Sequence, residues 1–325
     1  MERFLRQRYA AHPTVFSRMV ACLFMQGWYN AVCDAPASTL LTGKTVLITG
    51  ATAGIGYETA KELCERGAFV IIASRSVTKL EEVRLKLTAG CKNGGSIEAM
   101  VLDLGDLNNV VEFTKQFAEK YPNRKVDILI ENAGLWPRAH SLSPQGFEAS
   151  IATNLLGHFV LRSRLHENKI LVSNARIVVV TGDIYIKASD CTLNYDYTGE
   201  GEMAYCRSKL GVHWLFDEFH KSFPSYEMII VHPGVIRTEL AVDNAALFGS
   251  AGLLKSLILL DERAGCQTTL IAAVAPSSKI VNGGYYHNCC GLMQLSAEDP
   301  VKDTSKAQVL CDAVKLVAKP FIEAK

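Results

Sequence analysis

Six short apolar runs, at residues 45–49, 69–73, 99–102, 126–130, 177–181 and 228–231, punctuate the chain. Each lacks the polar alternation of a half-exposed strand. That is the pattern of strands covered on both faces in a parallel sheet. The segments between them, such as 54–66, 110–121, 147–165 and 204–221, repeat apolar residues at helical spacing. Alternating strands and helices build βαβ units joined by right-handed crossovers. The fold class expected is α/β, a doubly wound parallel sheet with helices on both faces. A late strand at 284–287 and a final helix at 304–318 complete it.

Composition narrows the function. Of 325 residues, 49% are hydrophobic and 21% charged, which excludes a disordered chain. With 34 basic and 33 acidic residues the net charge is +1, so nucleic acid is not an expected partner. The ten cysteines show no CxxC and no Cys/His ligand spacing, so no metal is expected. A disulfide framework is not expected in a chain this large either, and the reading is an intracellular, reducing compartment. No repeat or Pro/Ser-rich linker interrupts residues 44–321, which read as one domain.

Residues 1–43 form a leader. Its first 33 residues carry Arg3, Arg6, Arg8 and Arg18 against the single acid Glu2, and residues 19–33 carry no charge. A spanning helix needs about 20 apolar residues, so this stretch is short for one. It reads either as a membrane-associated or targeting segment or as a leader packed on the domain. The first implies membrane association at the endoplasmic reticulum or mitochondrion, the second a cytoplasmic protein.

The first strand runs directly into TGATAGIG, residues 49–56, and a helix follows. Gly50, Gly54 and Gly56 let the backbone turn tightly and approach a pyrophosphate, with Thr52, Ala53 and Ile55 between them. The helix N-terminus supplies N–H groups and positive dipole. This is a Rossmann-type arrangement. The second strand ends in Ser74-Arg75, where an NAD site usually places an acid. A guanidinium binds a 2′-phosphate, whereas an acid repels it, so NADP is preferred and NAD remains open.

Tyr205 and Lys209 stand four apart in AYCRSK, on one face of an expected helix. A nearby ammonium favours phenolate, so such a tyrosine can exchange a proton with an alcohol or carbonyl. Together these motifs resemble the short-chain dehydrogenase/reductase family. The resemblance adds Asp103-Leu104, ENAG at 131–134, NLLGHF at 154–159 and HPGVIRTEL at 232–240. It covers nearly all of 44–318, and within the family NLLGHF, HPGVIRTEL and the segment 265–290 resemble the retinol dehydrogenases and the WW-domain-containing oxidoreductases.

The resemblance implies residue roles. Asp103, followed by Leu104, would hold the adenine. Asn132, Ala133 and Gly134 would line the cofactor ribose, and Asn154 would support a water relay to Lys209. Lys209 would also bind the nicotinamide ribose. Pro233, Gly234, Val235 and Thr238 would hold the nicotinamide. Glu131 departs from the more usual Asn at the head of its motif. The larger departure follows the fifth strand, where the family ends in two small hydroxyl residues, the second being the catalytic serine. Here Thr181 holds the first position and Gly182 the second.

The apolar stretch 240–260 falls where the family places a substrate lid; it reads either as that lid, with Trp136 and Pro137 lining the same pocket, or as a helix pair of the core or of a dimer contact. The expected function is therefore NADP(H)-dependent interconversion of a carbonyl and an alcohol on a small lipophilic molecule, of retinoid, steroid or fatty-aldehyde class. The alternative is a weakly active, cofactor-binding scaffold or redox sensor, suggested by Gly182. The sequence leaves a homo-oligomer open. Cys289 and Cys290 read either as a reactive pair or as two buried small residues.

Overall fold

The first strand, β1 (Thr45–Thr49), occupies the middle of the sheet and is buried at all five positions. The computed structural model describes residues 35–36, 39–199, 201–236, 259–288 and 291–324. The leader 1–33, Thr238, most of the apolar stretch 240–260 and the Cys289–Cys290 pair lie outside the described residues.

The chain continues as α1 (Gly54–Glu65), β2 (Phe69–Ser74), α2 (Val77–Thr88), β3 (Ser96–Val101), α3 (Leu107–Lys120) and β4 (Val126–Glu131). A π-helical turn, Ile151–Leu156, leads into α4 (Gly157–Glu167). Then follow β5 (Leu171–Val180), α5 (Glu202–Ser222), β6 (Glu227–His232), α6 (Glu262–Val274), β7 (Tyr285–His287), β8 (Gly291–Leu292) and α7 (Thr304–Ile322). The sheet order is β3-β2-β1-β4-β5-β6-β7-β8. The β1–β2, β1–β4, β2–β3, β4–β5, β5–β6 and β6–β7 pairings are parallel, and β8 pairs antiparallel with β7. The doubly wound α/β architecture is the one expected.

Successive side chains of a strand point to opposite faces, and β1 shows why its run has no polar gap. Val46 and Ile48 join a core with α1, α2 and α6. Leu47 points the other way, into a core with α3, α4, α5 and α7. Each such side chain contributes about 2 kcal/mol by leaving water. The strand order reverses between β1 and β4, so a crevice opens beyond their carboxyl ends, where α/β sheets bind ligands.

Three local expectations are corrected. The helix expected over 147–165 begins only at Ala149, where the Glu148 side chain caps it by accepting from the Ile151 N–H (3.0 Å) and the Ser150 hydroxyl (3.3 Å). It widens into a π turn over Ile151–Leu156 before continuing as regular α-helix from Gly157. The fifth strand begins six residues early, at Leu171, and its regular part stops at Val180. One disulfide, Cys64–Cys91, ties the end of α1 to the segment after α2, with Cα atoms 5.2 Å apart. The sequence reading expected no disulfide framework and did not foresee this bridge.

Candidate active site

The glycine turn and the Asn-Ala-Gly segment are fastened together at the mouth of the crevice. Thr49, the last residue of β1, accepts from the N–H groups of both Asn132 and Ala133 at 3.0 Å. The Asn132 amide returns to the carbonyls of Thr49 (2.9 Å) and Gly50 (3.1 Å). Gly50 has φ +68° and passes so close to Ala133 that a Cβ would lie 2.7 Å from its Cα. Only glycine fits there.

Thr49 also reaches His158 of α4, at 3.0 Å from Nε2. The other ring nitrogen, Nδ1, meets the Asn154 carbonyl at 3.2 Å. A carbonyl only accepts, so Nδ1 carries the proton and Nε2 accepts from the Thr49 hydroxyl. Burial pushes this imidazole down to about 3, so it is neutral. The Asn154 side chain is engaged on both sides. Its Oδ1 accepts from Leu135 N–H (2.7 Å), and its Nδ2 donates to the Leu135 carbonyl and the Ser208 hydroxyl, both at 2.9 Å. Ser208 in turn donates to the Tyr205 carbonyl at 2.7 Å.

Helix α5 brings Tyr205 and Lys209 to the carboxyl end of β5. Lys209 Nζ donates to the Val180 carbonyl at 3.2 Å and lies 5.6 Å from the Tyr205 ring centroid. Burial pushes the ammonium down to about 8 and the phenol up. A Cβ built on Gly134 would lie 3.7 Å from Lys209 Nζ and 3.9 Å from Asn154 Oδ1. The bare Gly134 backbone therefore faces the space that both side chains border. Gly182 faces the phenol: a Cβ there would lie 3.7 Å from Tyr205 Oη. Thr181 points the other way by strand alternation, and its buried hydroxyl has no partner among the described residues. Trp136 lies flat on the Tyr205 ring, with centroids 4.7 Å apart and planes 10° apart.

At the far end, Thr52 and Ser74 place their hydroxyls 3.3 Å apart across the β1 and β2 termini. Arg75 is exposed, with no ion-pair partner among the described residues. Ala53 is the N-cap of α1, whose first residues are Gly54, Ile55 and Gly56. Asp103 Oδ1 accepts from Gly105 N–H at 2.9 Å, while the Leu104 side chain belongs to the core. Pro233, Gly234 and Val235 leave β6, and Val235 receives the Leu260 N–H at 3.0 Å. Thus every expected site residue except Thr238 lies at or just beyond the carboxyl end of one of the strands β1 to β6, or on the helical segment that follows it.

Sequence reasoning missed the supports. Glu131 and Arg162 form a buried ion pair at 2.6 Å beneath the Asn-Ala-Gly segment. Burial pushes the Glu131 carboxyl up to about 7 against the pull of Arg162. His158 and Ser208 sit inside quoted motifs, but nothing in their spacing announces the links they make.

The comparisons with known proteins agree with this geometry. Residues 44–246 match the short chain dehydrogenase family. The chain belongs to that family. It is 34% identical to human (Homo sapiens) retinol dehydrogenase 12 over 280 residues, 84% of this chain and 86% of that protein. It is 30% identical to the chicken (Gallus gallus) WW domain-containing oxidoreductase over 77% of this chain and 63% of that protein. A solved structure of a putative uncharacterized protein from Mycobacterium paratuberculosis superposes with TM-score 0.66 at 26% identity, covering 90% and 98% of the two chains. This short-chain dehydrogenase is an NAD(P)-dependent enzyme acting on CH–OH groups. Its residues fit a nicotinamide dinucleotide: the glycine turn runs directly into the N-terminus of α1, Gly134 leaves open the space that Lys209 and Asn154 border, and the buried Asn132 Oδ1 has no protein partner among the described residues.

Proposed function

We propose that this short-chain dehydrogenase is an NADP(H)-dependent enzyme that interconverts a lipophilic carbonyl compound and its alcohol. The observation carrying this reading is that Lys209 and Asn154 border the space beside Gly134, with the Tyr205 ring centroid 5.6 Å from Lys209 Nζ. Arg75, exposed beside Ser74 with no ion-pair partner among the described residues, supports NADP over NAD, because a guanidinium offers the 2′-phosphate a fork of charged donors. The retinol dehydrogenase relatives and the apolar 240–260 stretch support a lipophilic substrate of retinoid, steroid or fatty-aldehyde class.

The nicotinamide, when bound, supplies the hydride for reduction or accepts it on oxidation. The protein manages the proton. Tyr205 Oη gives its proton to the substrate oxygen as a carbonyl is reduced and recovers one through Lys209. Its buried, protonated phenol suits that direction. Lys209 supplies positive charge that favours the phenolate left behind. Asn154, held by Leu135 and Ser208, positions the relay behind Lys209. Asp103 holds the adenine end, and Pro233, Gly234, Val235 and Thr238 bind the nicotinamide end. Residues 44–321 form the catalytic domain, and residues 1–33 attach it to a membrane. Among the described residues no helix is long and apolar enough to cross one.

A second reading is a cofactor-binding protein of low turnover, favoured by the absent hydroxyl at Gly182. A panel of retinoid, steroid and aliphatic carbonyls, assayed by NADPH oxidation beside direct NADPH binding, separates the two. Turnover of at least one lipophilic carbonyl is expected. Tight NADPH binding without turnover would establish the second reading.

A further inference from the structure

The Tyr205 phenolic oxygen makes no hydrogen bond to any described residue. The polar contacts of Tyr205 are through its backbone, to Gly201 (2.9 Å) and Ser208 (2.7 Å), and neither restrains the ring. What meets the ring is the Trp136 indole, parallel within 10° at a centroid distance of 4.7 Å. Rotation about Cβ–Cγ does not move the oxygen, which lies on that axis. A swing of the ring along its own normal does carry the oxygen with it, and Trp136 blocks that motion from one side.

Trp136 is well supported for such a task. On one side of it, Leu135 has both its N–H and its carbonyl held by Asn154. On the other, the Pro137 carbonyl accepts from Gly201 N–H at 3.1 Å. Gly201 is also the residue to which Tyr205 donates its backbone N–H, so α5 and the Trp136 loop share an anchor. Across the phenol, Gly182 offers no side chain.

We infer that Trp136 is the positioning residue for the Tyr205 phenol, its indole face restraining by stacking what a hydroxyl at position 182 would restrain by hydrogen bonding. This rests on the oxidoreductase reading above. It makes the two positions alternatives: an enzyme given one of them depends less on the other.

The test is a double-mutant cycle between Trp136→Leu and Gly182→Ser, read as kcat and KM on one carbonyl that turns over, with NADPH dissociation constants beside them. Trp136→Leu should lower kcat roughly tenfold, the scale of an aromatic stacking interaction lost from the transition state. NADPH affinity should stay within about twofold, and Trp136→Phe, which keeps an aromatic face, should recover most of the loss. In the Gly182→Ser background the cost of Trp136→Leu should shrink to below about threefold. If Trp136→Leu lowers Tm, Trp136→Met replaces it in the cycle.

An equal loss in both backgrounds, or no loss in either, overturns the inference while leaving the enzyme reading intact. If neither the starting protein nor Gly182→Ser turns over any carbonyl, the enzyme reading fails and takes this inference with it.

Discussion

Installing a hydroxyl at position 182 is the most direct test of how this site works. The backbone there is extended, φ −136° and ψ 135°, so serine enters without strain. Its Cβ would lie 3.7 Å from both Ile184 Cγ2 and Tyr205 Oη, ordinary contact distances. Swinging the hydroxyl toward the phenol brings the two oxygens to about 2.8 Å, a normal O–H···O separation. Removing one preorganised donor from an active site typically costs about 10²–10³ in turnover, or roughly 3–4 kcal/mol. A serine added to an unadapted pocket should recover part of that, a rise in kcat of roughly 10- to 100-fold with NADPH affinity unchanged. Gly182→Ala supplies the Cβ without the oxygen and should show no rise. Thr181→Val removes the neighbouring hydroxyl, which strand alternation directs away, and should leave turnover within about twofold. The assay is steady-state NADPH oxidation on one lipophilic carbonyl, with Tm as a folding control. If the starting protein is already fast and Gly182→Ser is inert or harmful, the missing-donor argument is refuted. If Thr181→Val removes most activity, the donor role belongs to Thr181.

Three further outcomes are expected. Tyr205→Phe should retain fold and NADPH binding while losing nearly all turnover, and Lys209→Ala should impair both; substantial reduction by Tyr205→Phe would disprove the proton assignment. Arg75→Asp should weaken NADPH binding and shift preference toward NADH, measured as dissociation constants; equal affinities for both cofactors in the starting protein would remove its basis. His158 is buried neutral and pushed down to about 3, whereas an unfolded histidine titrates near 6.5, so the unfolded chain gains a proton first as pH falls. Stability should therefore be full above about pH 6.5 and drop by about 2 kcal/mol at pH 5 from this residue. Urea melts of the starting protein and His158→Gln at both pH values check it, and equal pH slopes would contradict it.

Much of the fold was legible because it follows from periodicity. Strands covered on both faces leave unbroken apolar runs, and Val46, Leu47 and Ile48 show the two-sided burial that makes them so. The glycines were legible because backbone geometry admits few substitutes at Gly50. The pair Tyr205 and Lys209 was legible because one helical turn joins them. Contacts between distant segments were not. Glu131 and Arg162 are 31 residues apart, and only folding shows that each buried charge has its counterpart. The Cys64–Cys91 bridge depends on where α1 and α2 end, which a list of cysteine positions does not reveal. The π turn at Ile151–Leu156 was read as ordinary helix because it shares the same apolar spacing.

That π turn ends beside His158, and the hydrogen bonds from Thr49 through this imidazole to Asn154 have a fixed direction. The ring nitrogens are not interchangeable in it, because one end must receive a proton and the other must offer one. In the function proposed above, Thr49 adjoins the turn that meets the pyrophosphate and Asn154 supports the proton relay. A single ring thus joins two neighbouring segments by hydrogen bonds. Whatever free energy dinucleotide binding spends in displacing Asn154 is returned equally as a change in dinucleotide affinity when Asn154 is displaced.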